Sequence, residues 1–186
     1  MGHDDPSHHR GPATHRGSAS AAVEEHRAHA PARVSCYLIT CSDSRAEGDD
    51  KSGRVLREGL ELAGHSVVGQ VIVQDDADAI RGALHAAELS GARAVLFTGG
   101  TGLTRRDQTV DTLRPLLDRE LPGFGELFRM LSFEAVGSAA WLSRALAGTH
   151  GELIVFALPG SPDAARLALE RLILPELGHA VRELSR

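Results

Sequence analysis

Residues 92–102 read ARAVLFTGGTG: a short apolar run without polar alternation, then a threonine and a glycine-rich turn. An apolar run this short, closed by glycines, is the pattern of a strand buried on both faces, as in the middle of a parallel sheet. Outward from it, VSCYLITCS at 34–42 and HSVVGQVIV at 65–73 read as two earlier strands, rich in β-branched residues. Between them lies RVLREGLELAGH, an amphipathic segment opened by Ser52 and Gly53, with Val55, Leu56, Leu60 and Leu62 near one face and a stop at Gly64. A second helix, ADAIRGALHAAEL, is expected over 77–89. The order strand, helix, strand, helix, strand predicts an α/β layered sandwich with right-handed crossovers.

Beyond the glycines, TVDTLRPLLDREL reads as a helix capped by Thr109 and broken by Pro122 and Gly123, and FGELFRMLSFEAV as the start of another. WLSRALAG reads as a further helix or turn closing at Gly148. GELIVFALPGSP (151–162) is a last strand ending in a Pro-Gly turn, and DAARLALERLILPELGHAVREL supplies C-terminal helices interrupted near Pro175.

The 186 residues, 42% hydrophobic and 24% charged, suit a single core. Two regions are expected. Residues 1–31 hold six of the ten histidines without apolar periodicity and read as a disordered tail, and 32–186 form the folded domain. The 25 acidic against 20 basic side chains give a net charge of −5, which excludes a non-specific coat for nucleic acid. An apolar run of about 18 residues, the least a membrane span needs, is absent. The early residues lack the apolar stretch of a signal peptide, and Asp4, Asp5, Glu24 and Glu25 speak against a transit peptide, so a cytoplasmic location is expected. Cys36 and Cys41 stand five residues apart in one strand and so face opposite ways, which predicts two free buried thiols that neither pair nor share a metal.

In open α/β sheets, ligands bind at the carboxyl ends of the strands. Three such ends stand out: Ser42-Asp43-Ser44-Arg45, Thr98-Gly99-Gly100-Thr101-Gly102, and Leu158-Pro159-Gly160-Ser161-Pro162. The TGGTG turn leaves backbone N–H groups uncovered, so it can cradle a phosphate without lysine. It matches neither a Walker loop nor a dinucleotide fingerprint, since Arg105 stands where the third glycine of the latter would be. Arg105 and Arg106 can neutralise phosphate, whereas Asp107 in the same place would repel it unless a divalent cation intervened. A first-turn acid on the following helix is the plainer reading of Asp107. Asp75-Asp76 with Asp78 end the second strand on the same sheet edge, as loop caps or, with Asp107, as metal or acid/base residues.

TGGTGLTRRDQT, LPGFGELFRMLSFEAVGSAAWLSRALAG and LPGSP together resemble the MoaB/MogA family of molybdenum-cofactor biosynthesis proteins, which includes the amino-terminal domain of gephyrin. The resemblance spans about residues 33–184 and is nearer the MoaB branch, through FRMLSFE and the loop before Ser52-Gly53. It implies a three-layer αβα sandwich with a mostly parallel sheet, and transfer of AMP from Mg·ATP to molybdopterin with release of pyrophosphate. A non-catalytic molybdopterin-binding scaffold of the same pathway is the alternative. The implied cofactor is Mg²⁺ and the implied substrates are ATP and molybdopterin, with a downstream metal-insertion protein as partner. Carried over by position, the catalytic and metal-binding acids are Asp75 and Asp107. The binding residues are Ser42, Asp43, Asp50, Thr98, Gly99, Gly100, Thr101, Gly102, Arg106, Glu126, Pro159, Gly160 and Ser161. Val110 stands where the family commonly opens its helix with proline. Phe124, Leu127, Phe128, Met130, Leu131 and Phe133 are too dense an apolar set for one helix of a small monomer to hide, so a homo-oligomer is expected, a trimer or hexamer by the resemblance.

Overall fold

All five residues of β3 (Ala94–Thr98) are buried. In the computed structural model, which describes residue 31, residues 33–43 and residues 49–186, β3 pairs in parallel with β1 (Ser35–Cys41) on one side and β6 (Leu153–Leu158) on the other. The expected tail, apart from Pro31, and the loop residues Ser44 and Arg45 lie outside the described residues. Strand β2 (Ser66–Val73) joins the outer side of β1, again in parallel. The far edge runs the other way: β5 (Leu146–His150) is antiparallel to β6, and the two-residue β4 (Arg119–Glu120) is antiparallel to β5. The sheet order is β2-β1-β3-β6-β5-β4, so the expected α/β fold with a mostly parallel sheet is what the chain adopts.

Alternation along the central strands sends side chains to two cores. Cys36, Leu38, Leu96 and Phe156 pack with Leu56 and Leu60 of α1 (Lys51–Leu62), Phe128 of α4 (Pro122–Val136) and residues of α5 (Pro162–Ala168) and α6 (Leu174–Leu184). On the opposite face Ile39, Cys41, Phe97 and Val155 pack with Ile80 and Leu84 of α2 (Ala77–Leu89) and with Val110 and Leu113 of α3 (Thr109–Leu113). The sheet is thus the middle of three layers. Helix α1 approaches closely at Gly59, where a Cβ would strike the Leu169 side chain. Leu169–Ile173, a π-helical stretch between α5 and α6, is the interruption expected near Pro175.

Four expectations need correction. The helix beginning at Thr109 runs five residues, tightens into a 3-10 turn at Arg114–Leu116 and straightens into β4, because Pro115 brings no N–H to continue the ladder. Thr109 is the first residue inside it, and the cap position is Gln108, whose side chain makes no capping bond. Pro122 and Gly123 open α4 rather than break a helix, since the first turn has no use for the missing donor. Leu146–His150 is a strand, not a helix or turn: a 3-10 segment at Gly137–Leu142 precedes it and Gly151, at φ 54°, turns it back into β6. A smaller correction concerns Leu62, which is 90% exposed on the side of α1 away from Leu56 and Leu60.

Cys36 and Cys41 are free, buried and on opposite faces of the sheet. Burial pushes both thiols up to about 12, Cys41 against a hydrogen bond with Thr109 that pulls the other way and with the Asp75 charge adding to the rise. Both therefore stay protonated at neutral pH. A thiol reagent is expected to label neither cysteine in the native protein at pH 7.5 and both in denaturant; native labelling would contradict the packing.

Candidate active site

Four parallel strands finish at one sheet edge, and the loops leaving them enclose a cleft of about 540 Å³. Ser42 and Asp43 follow β1, Asp75 follows β2, Gly99–Asp107 follow β3 and Pro159-Gly160 follow β6. Two glycines make the cleft possible. Gly99 turns at φ 92° with its N–H on the Leu158 carbonyl at 3.0 Å, and a Cβ there would strike the Cys41 carbonyl. Gly100 follows at φ 60°, and its Cβ would collide with the Asp75 carboxylate and the Thr109 hydroxyl. Both conformations lie in the left-handed region, which side chains other than glycine's disfavour.

The acids are held from different directions. Oδ1 of Asp75 accepts from the Gln108 amide at 3.1 Å and from the Thr109 hydroxyl at 3.4 Å, while the Asp75 amide donates to Oδ1 of Asp43 at 3.1 Å. Oδ2 of Asp107 accepts from the amide and hydroxyl of Thr104 at 2.7 and 2.6 Å. Burial, with the charges of Asp107 and Asp43, raises Asp75 above the ordinary carboxylate range against the Gln108 and Thr109 hydrogen bonds. For Asp107 burial pushes upward too, but hydrogen bonds from Thr104 and Gly102 and the Arg144 charge outweigh it, and the net movement is downward. Asp75 and Asp107 thus bring two carboxylates to one cleft beside the glycine turn.

No three acidic, histidine or cysteine side chains among the described residues converge closely enough to hold an ion by themselves. Mg²⁺ asks less of a protein than a caged metal does, because it keeps waters and takes one or two carboxylates with substrate phosphates. Asp75 and Asp107 fit that role.

The molecule has a second large cavity, about 490 Å³ between α4 and α5, mainly apolar and lacking the cleft's acids and glycine loop. It shares only Pro159 with the strand-end cleft.

Of the residues singled out in the sequence, Ser42, Asp43, Asp75, Gly99, Gly100, Thr101, Gly102, Arg106, Asp107, Pro159 and Gly160 meet in that cleft. Ser161 does not line it; its side chain caps α5 by accepting from the Ala164 amide. Thr98 is buried and donates to the Thr40 hydroxyl, which in turn donates to Asp50 at 2.7 Å. Asp50 is 3% exposed, and its other oxygen caps α1 through the Gly53 amide, so the carboxylate faces inward rather than into the cleft. A cap of this kind stabilises the helix by about 1 kcal/mol. Glu126 is exposed on α4 beside Arg114, Arg129 and Arg144, apart from the strand ends. Asp76 caps α2 and Asp78 pairs with Arg81, so of that acidic cluster only Asp75 turns to the cleft.

Residues 37–179 match the family model described as "Probable molybdopterin binding domain". The chain belongs to the MoaB/MogA family of molybdenum cofactor biosynthesis proteins. Molybdenum cofactor biosynthesis protein B of Bacillus cereus is 51% identical over 166 residues, 88% of this chain and 98% of the relative. A crystal structure of a molybdenum cofactor biosynthesis protein B, also 51% identical, superposes with a TM-score of 0.82 over 84% of this chain and 99% of its own. A MogA structure, 30% identical, gives 0.74 over 81% of this chain and 99% of its own, which fits the nearer resemblance to the MoaB branch.

For this member of the family, sequence reasoning missed Thr104, Gln108 and Arg144. Thr104 and Gln108 act on the acids through a hydroxyl or a backbone amide, and Arg144, though inside the quoted stretch WLSRALAG, is far in sequence from the acid whose carbonyl it holds.

The opposed shifts give opposite stability effects. A carboxyl raised in the fold contributes stability when protonated, fully present below its unfolded value of 3.8 and lost as pH rises through the folded one. Asp75→Asn is therefore expected to raise the melting temperature at pH 7 without added divalent cation, with the gain shrinking toward pH 4. Asp107, lowered in the fold, contributes above its unfolded value, so Asp107→Asn lowers the melting temperature at pH 7. Scanning calorimetry across that range reads both signs.

Proposed function

We propose that the chain binds molybdopterin in the strand-end cleft and adenylylates it from Mg·ATP within molybdenum cofactor biosynthesis. The observation that carries this reading is the meeting of Asp75 and Asp107 across the glycine turn Gly99–Gly102, with Arg106 at the rim. A terminal phosphate oxygen of molybdopterin attacks the α-phosphorus of ATP. The bond from that phosphorus to the bridging oxygen breaks, and pyrophosphate departs with the electron pair. Such a transfer asks the protein for positioning and charge neutralisation rather than covalent chemistry. Backbone amides and the Thr101 hydroxyl can orient phosphate oxygens, Arg106 adds positive charge, and Asp75 and Asp107 would hold the cation. Mg²⁺, when bound there, would supply charge neutralisation at the phosphates.

Purified protein with molybdopterin, ATP and Mg²⁺ is expected to release pyrophosphate and yield adenylylated molybdopterin. Asp75→Asn and Asp107→Asn should each lower turnover by roughly 10²–10³-fold, as for loss of a transition-state electrostatic contact, with pterin affinity changed far less. Gly100→Ala should lose both, because its Cβ displaces Asp75. Near-normal turnover in the aspartate variants would remove the catalytic assignment, and pterin binding without Mg²⁺-dependent pyrophosphate release would leave the scaffold role.

The same reading includes self-association. Phe128 is 1% exposed and belongs to the core, but Leu127, Met130, Phe133 and Val136 of α4 and Trp141 beyond it are 47% to 71% exposed. An apolar face of this density is what a protein–protein contact covers. Light scattering at micromolar concentration is expected to give a trimer or hexamer, and Phe133→Asp to shift it toward monomer; a wild-type monomer would refute the contact.

A further inference from the structure

Arg144 lies in the connection between the 3-10 segment and β5, outside the cleft, with 26% of its side chain exposed. Its Nη1 donates to both carboxylate oxygens of Asp111 on α3 at 2.9 Å, and its Nη2 donates to the backbone carbonyl of Asp107 at 3.0 Å. Nε is buried with no hydrogen-bond partner among the described residues. A rigid planar fork that leaves one buried donor unpaired is set by its two outer contacts. Those contacts join α3, whose Thr109 hydroxyl reaches Asp75, to the backbone of the other acid. The loop Leu103–Gln108 has no regular structure and is largely closed on itself by Thr104, Asp107 and Gln108. Its tie to β2 runs through the Gln108 amide on Asp75, and its tie to the β5 side runs through Arg144.

We propose that Arg144 is a positioning residue of this site: by fixing the Asp107 carbonyl against α3 it sets the direction in which Asp107 faces Asp75. It lies outside the cleft lining and acts through the Asp107 carbonyl. The consequence for turnover rests on the adenylyl-transfer reading, whereas the consequence for the loop does not.

The test compares wild type with Arg144→Gln, Arg144→Lys and Asp111→Ala, the last leaving Arg144 in place and removing an exposed partner. Amide hydrogen exchange on the ligand-free protein is expected to rise in residues 103–108 of all three, with the central strands unchanged. Lysine keeps the charge but has no fork to span both acceptors, so it should not restore protection. In turnover assays kcat is expected to fall roughly 10–100-fold, the cost of a small misplacement, while KM for molybdopterin moves less than about threefold. Unchanged exchange at 103–108 in Arg144→Gln would overturn the proposal. So would loss of protection spread over the whole domain with kcat and KM degraded together, or full rescue by lysine. If the wild type releases no pyrophosphate, adenylyl transfer fails, and the exchange pattern alone decides the role of Arg144.

Discussion

At Gly100 the backbone turns with a positive φ of 60°, and no space is left for a Cβ between it, the Asp75 carboxylate and the Thr109 hydroxyl. Much of the site's geometry follows from that crowding. The turn brings the β3 loop against the end of β2, and the Thr109 amide donates to the Gly100 carbonyl at 3.1 Å. Helix α3 therefore starts where Asp75 can receive the amide and hydroxyl preceding and opening it. The buried pairing of β3 with β1 and β6 supplies the rigid floor, because Thr98 is in register with Thr40 and Leu158. A glycine turn on a loose strand end could not place an acid with this precision.

The arrangement stores electrostatic cost at the cleft. Asp75 sits above the ordinary carboxylate range because it is partly desolvated and faces Asp107 and Asp43. A carboxylate held against like charges is destabilising unless a cation joins them. The rest of the chain offsets that cost elsewhere, through Asp50, whose two oxygens are satisfied by Thr40 and Gly53, and through two cores in which Phe97, Leu96 and Leu113 are wholly buried. Asp50 and Asp75 are the same residue type near neighbouring strand ends, yet one is buried and satisfied from inside the fold and the other lines the cleft.

That contrast marks where the sequence was readable. Parallel strands and their helices were legible because short apolar runs and 3.6-residue periodicity report burial directly. The antiparallel edge was not: LAGTH has alanine and glycine where strands carry branched residues, and β4 is only Arg119 and Glu120. Their identity as strands comes from the neighbouring β6 and from Gly148, where a Cβ would strike the Arg119 carbonyl. In the site, the glycine turn and Asp75 were legible because each stands next to a strand end, and Asp107 because it follows the paired arginines behind that turn. Residue type could not give direction, so Asp50 and Thr98, which point inward, and Glu126, which lies on another helix, were grouped with them. Arg144 shows the converse, since it reaches the cleft loop only through tertiary contact.

The chain has a single lysine, Lys51, and that residue opens α1. Asp43, Asp75 and Asp107 line the cleft against Arg106, so its side chains carry net negative charge before any phosphate enters. A polyphosphate would add more. Backbone amides are dipoles and do not cancel whole charges, and the exposed Arg105 and Arg106 act through water that screens them. On the proposed adenylyl-transfer reading, neutralisation would come from a divalent cation shared between acids and phosphate. On this balance of charges, the acids that repel each other in the free protein become the reason a phosphate ligand and its cation would bind there together.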